Sequence, residues 1–171
     1  MSFDQILTNL KKGEYQPLYF LHGKESFYID EVSKYIEEHV LEEAQRSFNQ
    51  TILYGKETDA RTVMDVSARF PMMAPRQVVI LKEAQDMRDL NALKAYVEKP
   101  VATTVLVICY KHKKFNMRSA LAKALKKQAV VLESKPLYDN QVSAWIRDFL
   151  RKRGFSIEDR AAELAGEYLG T

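Results

Sequence analysis

The stretch Pro17–Glu31, which reads PLYFLHGKESFYIDE, contains the unit that decides the fold. It begins with a short run of large apolar residues, Pro17–Leu21, which has the length and side chains of a buried strand. A polar turn, His22–Ser26, follows, and the residues after it place apolar side chains at helical spacing. A strand that leads through a short polar turn into a helix is the repeating unit of α/β proteins.

Four more short apolar runs have the same character as the first. All are rich in Val, Ile, Leu and Tyr, and none alternates cleanly between apolar and polar residues. They are Gln50–Tyr54, Gln77–Leu81, Thr103–Cys109 and Ala129–Leu132. Strands with continuous apolar sequences are typical of a parallel sheet that is covered on both faces.

Segments with a helical period lie between these runs. They are Ser26–Val40, Ala60–Ala68, Leu90–Val97 and Asn116–Gln128. Five strands alternating with helices predict an α/β fold, with a doubly wound, parallel five-stranded sheet and helices on both faces. After Pro136 two helical segments, opened by Asp139 and Ser156, follow without a strand pattern. We therefore expect an α/β domain over residues 1–136 and the start of a small all-helical domain over residues 137–171.

Composition excludes several classes of protein. The 171 residues are 46% hydrophobic and 29% charged, which is incompatible with a disordered chain. The formal net charge of +3 does not by itself indicate a nucleic-acid partner. A single cysteine, Cys109, excludes an internal disulfide and a cysteine-based zinc site. No apolar run approaches the roughly 18 residues of a membrane span, so we expect a cytoplasmic protein without a metal site.

The turn after the first strand lies where nucleotide-binding α/β proteins carry a phosphate loop. Its residues are His22, Gly23, Lys24, Glu25 and Ser26. A Walker A loop needs two glycines five positions apart, then Lys and Ser or Thr, and the six glycines of the chain include no such pair. Glu25 would also repel phosphate and supplies no hydroxyl for Mg²⁺. We interpret the turn as a degenerate phosphate loop that binds no nucleotide, and we expect neither a cofactor nor a catalytic residue.

The link Ala68–Arg76, which reads ARFPMMAPR, places large hydrophobic residues between a helix and a strand. These residues are Phe70, Met72 and Met73. Loops normally carry polar residues because they run over the surface. Two interpretations are open: the side chains form an exposed peg for the groove of a partner, or they fold back as a lid on the sheet.

A basic run without an intervening acidic residue covers the end of the α/β region. Its members are Lys111, Lys113, Lys114, Arg118, Lys123, Lys126 and Lys127. Such a run can hold the phosphates of DNA, and we treat it as a candidate DNA-facing surface. The alternative is a helix face that is simply solvated.

Two stretches of the chain resemble the delta subunit of the bacterial DNA polymerase III clamp loader. Leu18–Glu31 is similar to the opening of that family, in which a first strand runs into a Gly-x-Glu turn, a hydrophobic pair and an Asp-Glu step. Phe70–Ile80 resembles the next landmark, a hydrophobic link that ends in Arg and leads into a Val/Ile strand. The order of these motifs, the helical segment after Pro136 and the missing phosphate loop support the resemblance.

The resemblance implies an AAA+-like fold with a decayed nucleotide site, followed by a three-helix lid domain and a collar domain. This chain would then hold the AAA+-like domain and the first helices of a truncated lid, without the collar. In the family, a hydrophobic wedge in the link enters a groove on the beta sliding clamp and opens one interface of the ring. By position, the wedge residues here would be Phe70, Met72 and Met73.

The function that the resemblance implies is DNA replication, by a non-catalytic subunit of the polymerase holoenzyme, which is a nucleotidyltransferase. The implied partners are the beta sliding clamp, the ATPase and stator subunits of the clamp loader and, through the assembled complex, primer–template DNA. No membrane partner is implied. The alternative is an active AAA+ replication ATPase with an atypical phosphate loop at His22–Ser26, and ATP binding by the isolated chain separates the two hypotheses.

Overall fold

The computed structural model describes residues 1–169 of the chain. Gly170 and Thr171, which belong to the segment predicted as the start of a lid, lie outside the described residues. The chain divides into two compact units, the first of which is Met1–Ser134 and the second of which begins at Lys135. No described helix is long and apolar enough to cross a membrane.

The first unit is built on a parallel five-stranded sheet. Its strands are β1 (Leu18–Gly23), β2 (Gln50–Tyr54), β3 (Gln77–Lys82), β4 (Thr104–Lys111) and β5 (Val130–Ser134). They lie side by side in the order β2-β3-β4-β1-β5, and every neighbouring pair is parallel. β1 is buried along its whole length between β4 and β5, which explains its continuous apolar sequence. The predicted fold class is confirmed.

Helices cover both faces of the sheet. They are α1 (Phe3–Lys11), α2 (Ser26–His39), α3 (Glu43–Asn49), α4 (Ala60–Ser67), α5 (Lys94–Val97) and α6 (Ala120–Gln128). Successive strand side chains point to opposite faces, so the sheet has two cores. Phe20 packs with α4, α5 and α6 on one face, and Tyr19 packs with α1 and α2 on the other.

The structure differs from the sequence-based elements in a few places. α1 and α3 were not predicted, although Ser2 and Gln5 form a reciprocal capping box at the start of α1. The helix predicted from Asn116 begins only at Ala120, because the Ser119 hydroxyl accepts the backbone N–H of Ala122 at 3.1 Å. The segment predicted as a helix over Leu90–Val97 is a 3-10 turn followed by the single turn of α5.

The second unit contains α7 (Asp139–Arg151) and α8 (Asp159–Leu169). Both helices were predicted. We expected Asp139 to cap α7, but Asp139 is the first residue of that helix. Tyr138 takes the capping position instead, and its backbone N–H donates to the Gln141 side chain at 3.1 Å. Val142 is buried in the small core that this unit forms by itself.

Candidate functional site

The three hydrophobic side chains of the link project into solvent. Phe70 is 85% exposed, Met72 is 61% exposed and Met73 is 100% exposed. The side chains therefore do not fold back as a lid on the sheet, and of the two interpretations only the exposed peg is compatible with the structure. Large apolar side chains grouped at one exposed point of a folded domain are the kind of surface that a partner covers.

Because α4 ends at one side of the link and β3 begins at the other, the link lies at the edge of the sheet where the strands start. Its entry is held by Gln77, the buried first residue of β3. The Gln77 Nε2 donates to the Arg69 carbonyl at 2.6 Å and to the Thr104 hydroxyl at 2.9 Å. Thr104 in turn donates to the Ser67 carbonyl at 2.8 Å. These bonds satisfy carbonyls that the end of α4 leaves without helical partners.

The middle of the link is held by a second buried amide, that of Asn49 at the end of α3. The backbone N–H of Met72 donates to the Asn49 Oδ1 at 2.6 Å, and the Asn49 Nδ2 donates to the Met72 carbonyl at 2.9 Å. The next residue, Met73, has a left-handed backbone with φ 52°. Nothing in the sequence pattern indicated Asn49 or Gln77, because their partners are distant in the chain.

The exit of the link is marked by Arg76. Its guanidinium lies over the ring of Tyr15, 4.9 Å from the ring centroid, which is a cation–π contact. The Arg that ends the link is therefore engaged within the domain, while the hydrophobic residues before it are left exposed.

The turn predicted as a degenerate phosphate loop lies at the opposite edge of the sheet, where the strands end. Glu25 is the N-cap of α2, and its carboxylate accepts the backbone N–H of Phe27 at 2.9 Å. The Ser134 hydroxyl at the end of β5 donates to the Glu25 carbonyl at 2.6 Å. The helix N-terminus that would face a phosphate in a nucleotide-binding protein is thus occupied by a carboxylate of the chain itself.

The turn is also short and closely packed. Gly23 has φ 146°, and a Cβ atom there would overlap the Ser134 carbonyl. His22 is buried and stacks on Phe20, with 4.9 Å between the ring centroids. Burial lowers the pKa of His22, an effect that the nearby Glu133 carboxylate partly opposes. His22 is therefore a neutral core residue at physiological pH.

The basic run does not form one surface. Lys111 forms an ion pair with Asp30, and the Nζ of Lys113 lies 3.7 Å from the Oδ1 of Asp86. The first part of the run is therefore paired with acidic residues that are distant in sequence. The rest of the run, for which no ion pair is found among the described residues, comprises Lys114, Arg118, Lys123, Lys126 and Lys127. Lys126 and Lys127 lie in the last turn of α6, at the other edge of the sheet from the end of β4.

No metal centre is found in the part of the chain that the structure describes, where no three His, Cys, Asp or Glu side chains are grouped to hold an ion. Cys109 is buried within β4, and burial raises the pKa of its thiol to about 11. A thiol in this state is a packing residue and not a nucleophile.

A parallel sheet of this order, covered on both faces and with a short turn after β1, defines an AAA+-like α/β domain. The structure of a RuvB variant from Thermotoga maritima shares the fold with a TM-score of 0.55 at 14% identity, over 96% of this chain and 53% of that one. The family model for the DNA polymerase III delta subunit matches residues 19–135. The chain belongs to this family, whose polymerase serves DNA replication.

Matches to the delta protein of Bacillus subtilis, in sequence and in structure, give the extent of the similarity. The DNA polymerase III subunit delta of Bacillus subtilis is 29% identical over an alignment of 173 positions, which covers 95% of this chain and 50% of that protein. The solved structure of the B. subtilis DNA clamp loader delta protein has a TM-score of 0.80 and 27% identity, over 94% of this chain and 50% of that one. The chain thus spans about half the length of the relatives that it matches.

Proposed function

We propose that this chain acts in DNA replication as a non-catalytic clamp-loader subunit. In this proposal Phe70, Met72 and Met73 form a wedge that binds the beta sliding clamp and opens one interface of its ring for loading onto primed DNA. The observation that carries the proposal is the exposure of these three side chains on a link whose backbone is held in place.

The energetics of such a contact favour a small number of anchors. Full burial of a Phe or Met side chain stabilises a complex by about 1.5–3 kcal/mol. A few such anchors commonly supply most of the binding energy of an interface. Met is also unbranched and adaptable, which suits a groove that changes shape when the ring opens.

We also propose that the turn His22–Ser26 binds no nucleotide, so that clamp opening uses binding energy alone. A ligand that binds the open state of a ring more tightly than the closed state shifts the ring toward opening. ATP would then be hydrolysed by neighbouring ATPase subunits. The capping of α2 by Glu25 supports this proposal over the alternative of an active AAA+ ATPase.

The remaining parts of the proposal concern the assembled loader. The helices from residue 137 onward would be the first helices of a lid, and ATPase and stator subunits would be partners of the complete protein. Primer–template DNA would meet the complex, and Lys123, Lys126 and Lys127 are the residues of α6 that we propose to face it. We expect substitution of these three lysines by alanine to weaken DNA binding by the loader, most of all at low salt.

The decisive experiment is binding of the chain to the sliding clamp of the same organism. We expect micromolar or tighter affinity, which corresponds to about 8 kcal/mol or more, and its near loss in the variant F70A/M72A/M73A. Tyr54→Ala is the matched control, since Tyr54 is 43% exposed and lies at the opposite edge of the sheet. Equal binding by the triple variant and the wild type would move the contact elsewhere on the molecule.

A second experiment addresses the nucleotide. Equilibrium dialysis of the chain against ATP and Mg²⁺ should detect no binding. Saturable binding of ATP that depends on Lys24 would overturn the assignment of a closed site and favour the ATPase alternative.

A further inference from the structure

We propose that Asn49 is a positioning residue for the clamp contact, because its side chain holds the wedge in the shape that binds. This inference rests on the proposed function of the link. It adds a residue of α3, a helix that is not part of the wedge, to the determinants of clamp affinity.

The Asn49 side chain makes with the Met72 backbone the pair of hydrogen bonds that a neighbouring strand would make. Asn49 bonds both backbone groups of Met72, accepting its N–H at 2.6 Å and donating to its carbonyl at 2.9 Å. The same Nδ2 donates to the Gln45 carbonyl, one turn back in α3, at 3.1 Å. Asn49 is only 3% exposed, so these bonds are shielded from water. A buried amide with its donors and acceptor engaged is costly to displace.

The contact lies next to the residue of the link that has an unusual backbone conformation. Met73 has φ 52°, a left-handed conformation that a residue with a side chain adopts only when its surroundings impose it. Asn49 fixes the peptide groups of the preceding residue, so it supports the turn of the backbone between Met72 and Met73. Gln77 bonds the link at Arg69, before this turn, so the turn itself is supported by Asn49.

Holding the link in one shape lowers the entropic cost of binding. Side chains that are exposed and mobile must be ordered when a partner closes over them, and a backbone already in the bound conformation reduces that cost. Loss of the Asn49 contact should therefore weaken clamp binding without removing any group that touches the clamp.

Phe48 provides the competing explanation. It neighbours Asn49 on α3 and is 71% exposed, so α3 could influence affinity by touching the clamp directly. The two explanations differ in what they predict for the free protein, because only the loss of Asn49 should loosen the link.

The test measures clamp affinity and amide hydrogen exchange on the same variants of the 171-residue chain. Asn49→Ser is the principal variant, since its hydroxyl can still bond the Gln45 carbonyl within the helix but is too short to reach Met72. Asn49→Ala removes all three bonds. Glu25→Ala is the matched control, because it removes the cap of α2 at the opposite edge of the sheet and should destabilise the protein without loosening the link.

We expect both Asn49 variants to bind the clamp about tenfold more weakly, equivalent to about 1.4 kcal/mol, and to exchange the amide of Met72 faster. Glu25→Ala should lower the melting temperature and leave affinity and this amide unchanged. Wild-type affinity in Asn49→Ser, together with near loss of binding in F70A/M72A/M73A, would overturn the inference and leave the proposed function standing. Wild-type affinity in the triple variant would overturn both. A loss in Phe48→Ala that matches Asn49→Ser, with unchanged exchange in each, would assign the effect to direct contact by α3 and overturn the positioning role.

Discussion

Truncation of the wedge side chains should leave the free protein almost as stable as the wild type. Phe70, Met72 and Met73 are 85%, 61% and 100% exposed, so their replacement by alanine opens no cavity. Surface substitutions usually change the free energy of unfolding by no more than about 0.5 kcal/mol each, which limits the triple variant to about 1.5 kcal/mol. Side chains packed over the sheet would instead cost about 2–5 kcal/mol each.

The assay is thermal unfolding of the wild type and of F70A/M72A/M73A, in the absence of any partner. For a chain of this size 1 kcal/mol shifts the melting temperature by about 2–4 °C, so we expect a decrease of no more than about 6 °C. Met87→Ala is the matched control, because Met87 is 6% exposed in the core and its truncation alone should cost about 2–5 kcal/mol. A triple variant that is less stable than Met87→Ala would show that the link is packed, and the argument for an exposed wedge would be refuted.

Three further predictions concern the sheet and its closed turn. Gly23→Ala should prevent stable folding, because its Cβ would overlap the Ser134 carbonyl. Gly13 has open space around it, so Gly13→Ala should lower the free energy of unfolding in urea by only about 1–2 kcal/mol. Cys109 should resist thiol reagents at pH 8 until the protein is unfolded. Burial raises the pKa of the Cys109 thiol to about 11, above its pKa in the unfolded chain. The stability that the buried thiol contributes should therefore be complete below about pH 9 and should decrease as the pH rises toward 11. Burial lowers the pKa of His22, so stability should fall as the pH drops below about 6.5, and pH-dependent unfolding of His22→Phe should lack that part of the decrease.

The sheet was predictable because its sequence signal is local and redundant. Each predicted strand overlaps an observed one, and β2 has the predicted bounds, Gln50–Tyr54. A strand buried on both faces is largely apolar, which makes it visible in a single sequence. The order of the strands was not predicted, since it depends on which strands pair and not on the character of any one of them.

Two short helices were missed for different reasons. α1 has a clear start signal in Ser2 and Gln5, but it precedes the first strand and so lies outside the alternation of strands and helices from which the other helices were predicted. α3 is seven residues long, and its polar sequence shows no sustained periodic stripe. It is ordered by contacts with other parts of the chain, and such contacts leave little trace in local sequence.

The candidate site was predictable in its residue types but not in its exposure. Composition alone could not decide whether Phe70, Met72 and Met73 project or fold back, because both arrangements use the same residues. The deciding groups are Asn49 and Gln77, which fix the backbone of the link from distant positions in the chain. The basic run shows the same limitation, since its ion pairs join residues that are far apart in sequence.

The two edges of the sheet support our proposal that this AAA+-like domain acts without a nucleotide. At the edge where strands end, Glu25 and Ser134 close the turn that would hold phosphate. At the edge where the strands begin, the buried side-chain amides of Asn49 and Gln77 form hydrogen bonds with a link that presents apolar side chains to solvent. A domain that folded only for stability would bury those side chains, because each one exposed forgoes the free energy of its burial. Exposure maintained by buried hydrogen bonds therefore supports our proposal that a partner covers the link.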